Sequence, residues 1–143
     1  MNISHSFKKY TYFFWGFFDA LYIFVYTYKS IEENRVPFFS DASNIISIAS
    51  SYGYPAAIYS TLSFLLHFSI IFSAILLFCN AKSAKYFCYT QIPFRLFFIV
   101  PSLSIIIIGI GLFDSYNIYI IYLLVIISEF LKFFSLKTQK LSA

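Results

Sequence analysis

The stretch Cys88–Gly111, CYTQIPFRLFFIVPSLSIIIIGIG, decides how this chain is read. It is apolar and long enough for one membrane crossing, for which about 20 residues suffice. Yet Arg95 stands well inside it, with Gln91 one turn earlier and Pro93 and Pro101 on either side. A charge at that depth costs about 2.5–3.5 kcal/mol on insertion scales unless it finds a partner or water. Another part of the chain must therefore supply what makes Arg95 tolerable.

Composition points the same way. Of 143 residues, 60% are hydrophobic, 24% aromatic and only 11% charged, whereas soluble domains carry about a quarter charged residues. One soluble core of this size cannot hide so many Phe, Tyr and Ile side chains, and lipid removes that constraint. The expected fold is an all-α integral membrane four-helix bundle, a single domain over residues 1–143. Its spans are read at about 10–28, 55–80, 86–113 and 118–134. The first run is read as a retained helix and not a cleaved leader, because Asp19 interrupts it and no small-x-small site precedes Lys29.

Between the first two spans lies the longest polar segment, residues 29–54. Asp41 is a plausible N-cap there and Ile45, Ile46 and Ala49 a short apolar face, so the segment is either a short interfacial helix or an ordinary loop on the headgroups. Gly53 and Pro55 mark the turn into the second span. The short loop AKSAK makes spans two and three antiparallel neighbours. A tight turn over 114–117 precedes the fourth span.

Lys8, Lys9, Lys82, Lys85, Lys132, Lys137 and Lys140 gather on one side, against Lys29 and Arg35 on the other. The positive-inside rule then places both termini in the cytoplasm and the 29–54 segment outside. Tyr10 to Trp15 at the inner ends and Tyr116 and Tyr119 at the outer ends make the interfacial belts. The net charge of +4 is spread thinly over span ends, so no nucleic-acid surface is expected.

Inside the spans the ionisable groups are Asp19, His67, Arg95 and Glu129, with Lys132 near the exit of the fourth. At 1.5 Å per residue, Asp19 and Arg95 each lie about 14 Å from the cytoplasmic end of their helices. That match predicts an Asp19–Arg95 pair, with Gln91, Glu129 and His67 in the same polar layer. Spacings of three and four put Tyr12, Trp15, Asp19, Tyr22 and Tyr26 on one stripe, and Cys88, Gln91, Arg95, Phe98 and Ser102 on another that Gly109 continues. Ser60, Ser63, His67 and Ala74 form a third, and Glu129 and Lys132 are spaced to pair locally. Pro93 and Pro101 are expected to break or kink the third helix and free carbonyls near residues 89 and 97.

Nothing in the chain spells enzyme chemistry. His67 stands alone at depth, His5 lies in the leader, and no phosphate loop, GxSxG or HExxH occurs. Cys79 and Cys88 fit neither a CxxC nor a zinc set, and read as small packing residues. No catalytic residue, metal or cofactor is expected. In size and topology alone the chain is similar to two groups. One is small inner-membrane proteins acting by helix–helix contact, such as the immunity proteins that neutralise pore-forming toxins. The other is small four-span exporters that work as dimers around an intramembrane carboxylate. The expected function is accordingly a non-enzymatic accessory or immunity-type protein of the bacterial inner membrane, whose partners are the bilayer and another membrane protein or a second copy. The alternative is a small oligomeric transporter or ion pathway using Asp19 or Glu129.

Overall fold

The structure, a computed structural model, describes residues 3–112 and 117–138, with side chains other than those of 3–7, 107 and 110–112. Six helices run through these residues, and no strand occurs among them: α1 Ile3–Glu32, α2 Phe39–Tyr52, α3 Tyr54–Phe78, α4 Ala84–Phe98, α5 Ile105–Leu112 and α6 Ile118–Thr138. Of these, α3 and α6 are long and apolar enough to cross a membrane. The expected turn at 114–117 lies outside the described residues except for Asn117, as do Tyr116, Lys140 and the side chain of His5.

α1 packs chiefly on α3, α4 sits between α3 and α6, and α6 closes the ring against α1. At Gly16 α1 approaches α3 closely: a Cβ there would stand 3.2 Å from Leu77 Cβ. The buried faces follow helical spacing. α1 buries Tyr12, Trp15, Asp19 and Tyr22; α4 buries Cys88, Gln91 and Arg95; α6 buries Val125, Ser128, Glu129, Lys132 and Leu136. On α3 the buried stripe is Leu66, Ile70, Ser73, Ala74 and Leu77. Of the expected serine–histidine stripe, Ala74 lies on this buried stripe, whereas Ser60, Ser63 and His67 line a cavity against α2.

α2 is a helix of 14 residues, folded back on α3 through Gly53 alone. Gly53 has φ 82° and ψ 177°, a conformation open essentially to glycine only. The hairpin brings Asp41 beside His67 and Tyr52 beside Ala56, so α2 stands along the first half of α3. It does not lie across the end of the bundle as an interfacial helix would. Nor does Asp41 cap it: residue 38 precedes the helix, and the Asp41 carboxylate is taken by Tyr26 and Arg35.

The expected third span is not one helix. α4 continues through Pro93, which is exposed, and stops at Phe98. Ile99 turns left-handed at φ 56°, Val100 N–H donates to the Arg95 carbonyl at 2.8 Å and Ile99 N–H to that of Leu96 at 3.4 Å. This is the Schellman closure, in which the left-handed residue is usually glycine. α1 and α3 end the same way at Asn34 and Asn80, where asparagine tolerates the conformation. For a β-branched residue it is strained. Pro101, lacking an N–H, then prevents the helix from resuming before Ile105.

The core is layered. One apolar cluster gathers Tyr12, Trp15, Leu77, Ala84, Cys88 and Leu136, and another gathers Tyr22, Leu66, Ile70 and Val100. Between them lie the charges. Outside, the helices present Phe13, Phe17 and Phe24 of α1 and Leu123, Phe130 and Phe134 of α6. The usual polar-outside order of a soluble protein is thus reversed.

Candidate functional site: a buried knot of four charges

Asp19, Arg95, Glu129 and Lys132 are 0%, 1%, 1% and 1% exposed. They come from α1, α4 and α6, and their formal charges cancel. Asp19 is the hub. Arg95 Nη2 donates to its Oδ1 at 2.8 Å, Lys132 Nζ to Oδ1 and Oδ2 at 3.1 and 3.2 Å, and Ser73 Oγ to Oδ2 at 2.6 Å. One carboxylate therefore binds α3, α4 and α6 to α1. Such charge-assisted bonds offset the desolvation of buried ions only when geometry and partners are complete, and for Asp19 they are.

Arg95 has further ties. Its Nη1 donates to Ser102 Oγ at 3.2 Å and its Nη2 to Gln91 Oε1 at 3.3 Å. Gln91 in turn gives its amide nitrogen to the carbonyl and hydroxyl oxygens of Ser69, both at 2.6 Å, joining α4 to α3. Glu129 reaches the break after α4: its Oε1 accepts the Ser102 backbone N–H at 2.8 Å. Irregular backbone buried in a core needs such a partner for every freed donor. Ser104 completes the anchorage by donating its hydroxyl to the Phe18 carbonyl. Two atoms of the knot stay without a hydrogen bond, Arg95 Nε and Glu129 Oε2.

Of the expected polar layer, Asp19, Gln91, Arg95 and Glu129 are brought together, and His67 is not. Its Nδ1 lies 2.7 Å from the Ser63 carbonyl, which can only accept, so that nitrogen carries a proton. In the neutral ring, Nε2 then accepts from the Tyr22 hydroxyl at 3.0 Å. His67 sits six residues before Ser73, about 9 Å along α3, and belongs with Tyr26 and the α2 hairpin. Gly109 also departs from expectation, since among the described residues nothing approaches within 4 Å of a Cβ built there. Ser102 reaches Arg95 through the chain break and not through helical phase.

Lys132 is the member of the knot that the sequence pattern places wrongly. It pairs with Asp19 on another helix, and not with Glu129 one turn away. Its ammonium also lies 5.7 Å from the centre of the Trp15 ring, whose Nε1–H donates to Ser135 Oγ at 2.7 Å. The available signal was the stripe Val125, Ser128, Glu129, Lys132, Leu136. Ending the helix at 134 put Lys132 at an exit. α6 runs to Thr138, which leaves Lys132 about 9 Å inside.

A second polar group lies where α1 hands over to α2. Arg35 donates to Glu33 through Nε at 2.8 Å and through Nη2, and to Asp41 Oδ1 at 3.2 Å through Nη1. The hydrogen bond to Glu33 raises the guanidinium above its ordinary value, so Arg35 is a fixed cation. Among the described residues no cluster of three or more His, Cys, Asp or Glu could hold a metal. Comparison with known proteins finds no family model, curated protein or solved structure that matches the chain.

Proposed function

We propose that the chain is a four-span membrane protein of the bacterial inner membrane, non-enzymatic, acting through its helix faces on another membrane protein. In this reading α1, α3, α4 with α5, and α6 are the spans. α4 is about 22 Å long, too short to cross alone, and α5 adds about 12 Å. The reversed distribution of Phe and Leu outside and charges inside supports a lipid surrounding. Removing the buried Lys132 from the topology count still leaves six basic residues against Lys29 and Arg35, so both termini remain cytoplasmic.

One observation carries the functional part: the most engaged carboxylate, Asp19, is fully buried, held by three donor groups from three helices, and charge-balanced. A carboxylate so engaged is an anchor that fixes helix register, not a site that loads and releases a solute. The outward faces are then what remains for recognition. Reconstituted into liposomes, the chain should carry no proton or cation flux. Asp19→Asn should lower its thermal midpoint. A variant of unchanged stability that abolishes a measurable flux would overturn the reading.

A specific observation favours transport as the second reading. The third span is discontinuous, and Glu129, with one oxygen unbonded, holds its unwound backbone. Broken helices in transporters place such backbone around the site. The coupling carboxylate would then be Glu129, and Glu129→Gln would stop flux where Asp19→Asn only destabilises.

A further inference from the structure

A cavity of about 700 Å³ opens between α2 and α3, away from the charged knot. Its volume lies within the range of small-molecule sites. Polar and apolar groups are separated along it. At the His67 end stand Asp41 and Asn44 of α2, facing Ser63 of α3; at the Gly53 end the walls are Ile48, Tyr52 and Tyr59.

The polar end has unused capacity. His67 is committed at both nitrogens. Among the described residues, the Asn44 amide and the Ser63 hydroxyl, both lining the cavity, make no side-chain hydrogen bond. Asp41 accepts from Tyr26 and Arg35, which leaves lone pairs on both oxygens.

The charge there is also incomplete. Arg35 serves two carboxylates, Glu33 and Asp41, so the three groups sum to one negative charge. An anion is disfavoured at such a mouth, and a strongly hydrated sugar or nucleotide does not suit walls of Ile48, Tyr52 and Tyr59. A cation with an apolar body satisfies both ends. The aromatic side chain of Phe64, which also lines the cavity one turn from His67, favours an ammonium further. From Asp41 to Tyr52 α2 rises about 16 Å, the order of an extended dodecyl chain.

From this we infer that the α2–α3 cavity is a binding site for an amphiphilic organic cation, its ammonium head against Asp41 and its apolar body along Ile48, Tyr52 and Tyr59. The site is independent of the role given to the buried knot. It gives the α2 hairpin, turned at Gly53, a ligand-binding role beside the helix-face contacts.

The test uses the full chain in nanodiscs of zwitterionic lipid, titrated with dodecyltrimethylammonium and followed by calorimetry against empty nanodiscs. Saturable one-to-one binding is expected, at least tenfold tighter than for the uncharged dodecyldimethylamine N-oxide. Asp41→Asn should weaken it at least tenfold and erase that preference. Because Asp41 also ties α2 to Tyr26 and Arg35, a second variant, Ile48→Trp, fills the cavity without touching any charge and should abolish binding. Uptake equal to empty nanodiscs, equal affinity for the N-oxide, or binding unchanged by Ile48→Trp would overturn the inference.

Discussion

Asp19 and Glu129 are both buried carboxylates, and their surroundings differ in a way that sets different costs. Asp19 has donor groups from three residues on three helices; Glu129 is held through Ser102 alone and keeps a bare oxygen. Neutralising Asp19 leaves Arg95 and Lys132 with Glu129 as their single buried counter-charge, a loss of about 3–5 kcal/mol. Glu129→Gln keeps an acceptor for the Ser102 amide and should cost about 1–3 kcal/mol. Chemical unfolding of the two variants in lipid gives the order directly. Ile99 supplies a second expectation at this scale. A left-handed β-branched residue costs about 1–2 kcal/mol and glycine returns part of that through the unfolded chain. Ile99→Gly should therefore raise stability by about 0.5–1 kcal/mol, read as a higher thermal midpoint. The Asp19–Arg95 proximity was legible in the sequence because both residues sit at equal depth on facing stripes. Lys132 was not, since an end misjudged by one turn moves a lysine from core to exit.

Among the elements, α1 and α3 owe their close contact to Gly16, and α2 owes its place to Gly53. Gly16→Val puts branched atoms against Leu77, whose Cβ already limits the approach to 3.2 Å, and overpacking of that kind costs about 1–3 kcal/mol. A lowered midpoint for Gly16→Val, with Gly109→Val nearly neutral because nothing lies near its Cβ, would separate packing from propensity. The start of α6 was legible, since Asn117 caps it by accepting the Tyr119 amide at 2.9 Å. The break after α4 was legible only in part. Pro93 and Pro101 looked alike in sequence, yet Pro93 stays on an exposed helical face while Pro101 follows a left-handed turn. What chooses between them is tertiary: Ser102 and Ser104 find acceptors and donors in Glu129, Arg95 and Phe18. No local pattern encodes that.

For the whole molecule, an all-α fold with two strongly apolar helices agrees with the compositional reading. The proposed four-span arrangement makes a topological forecast. An impermeant maleimide applied from the cytoplasmic side should label Cys79, which is exposed beside the α3–α4 turn, and leave buried Cys88 untouched. A cysteine placed at Ser43 on α2 should label only from the opposite side. Reaction of both from one side would require a different threading. The central claim is that Asp19 holds the bundle by balancing charge, and a double-mutant cycle of unfolding free energies in lipid tests it most directly. Asp19→Asn and Lys132→Met each leave one charge uncompensated, whereas together they leave Arg95 and Glu129 balanced. The double variant should be more stable than the sum of the single losses implies, by about 1–3 kcal/mol. Strictly additive losses, or an Asp19→Asn chain as stable as the parent, would contradict it.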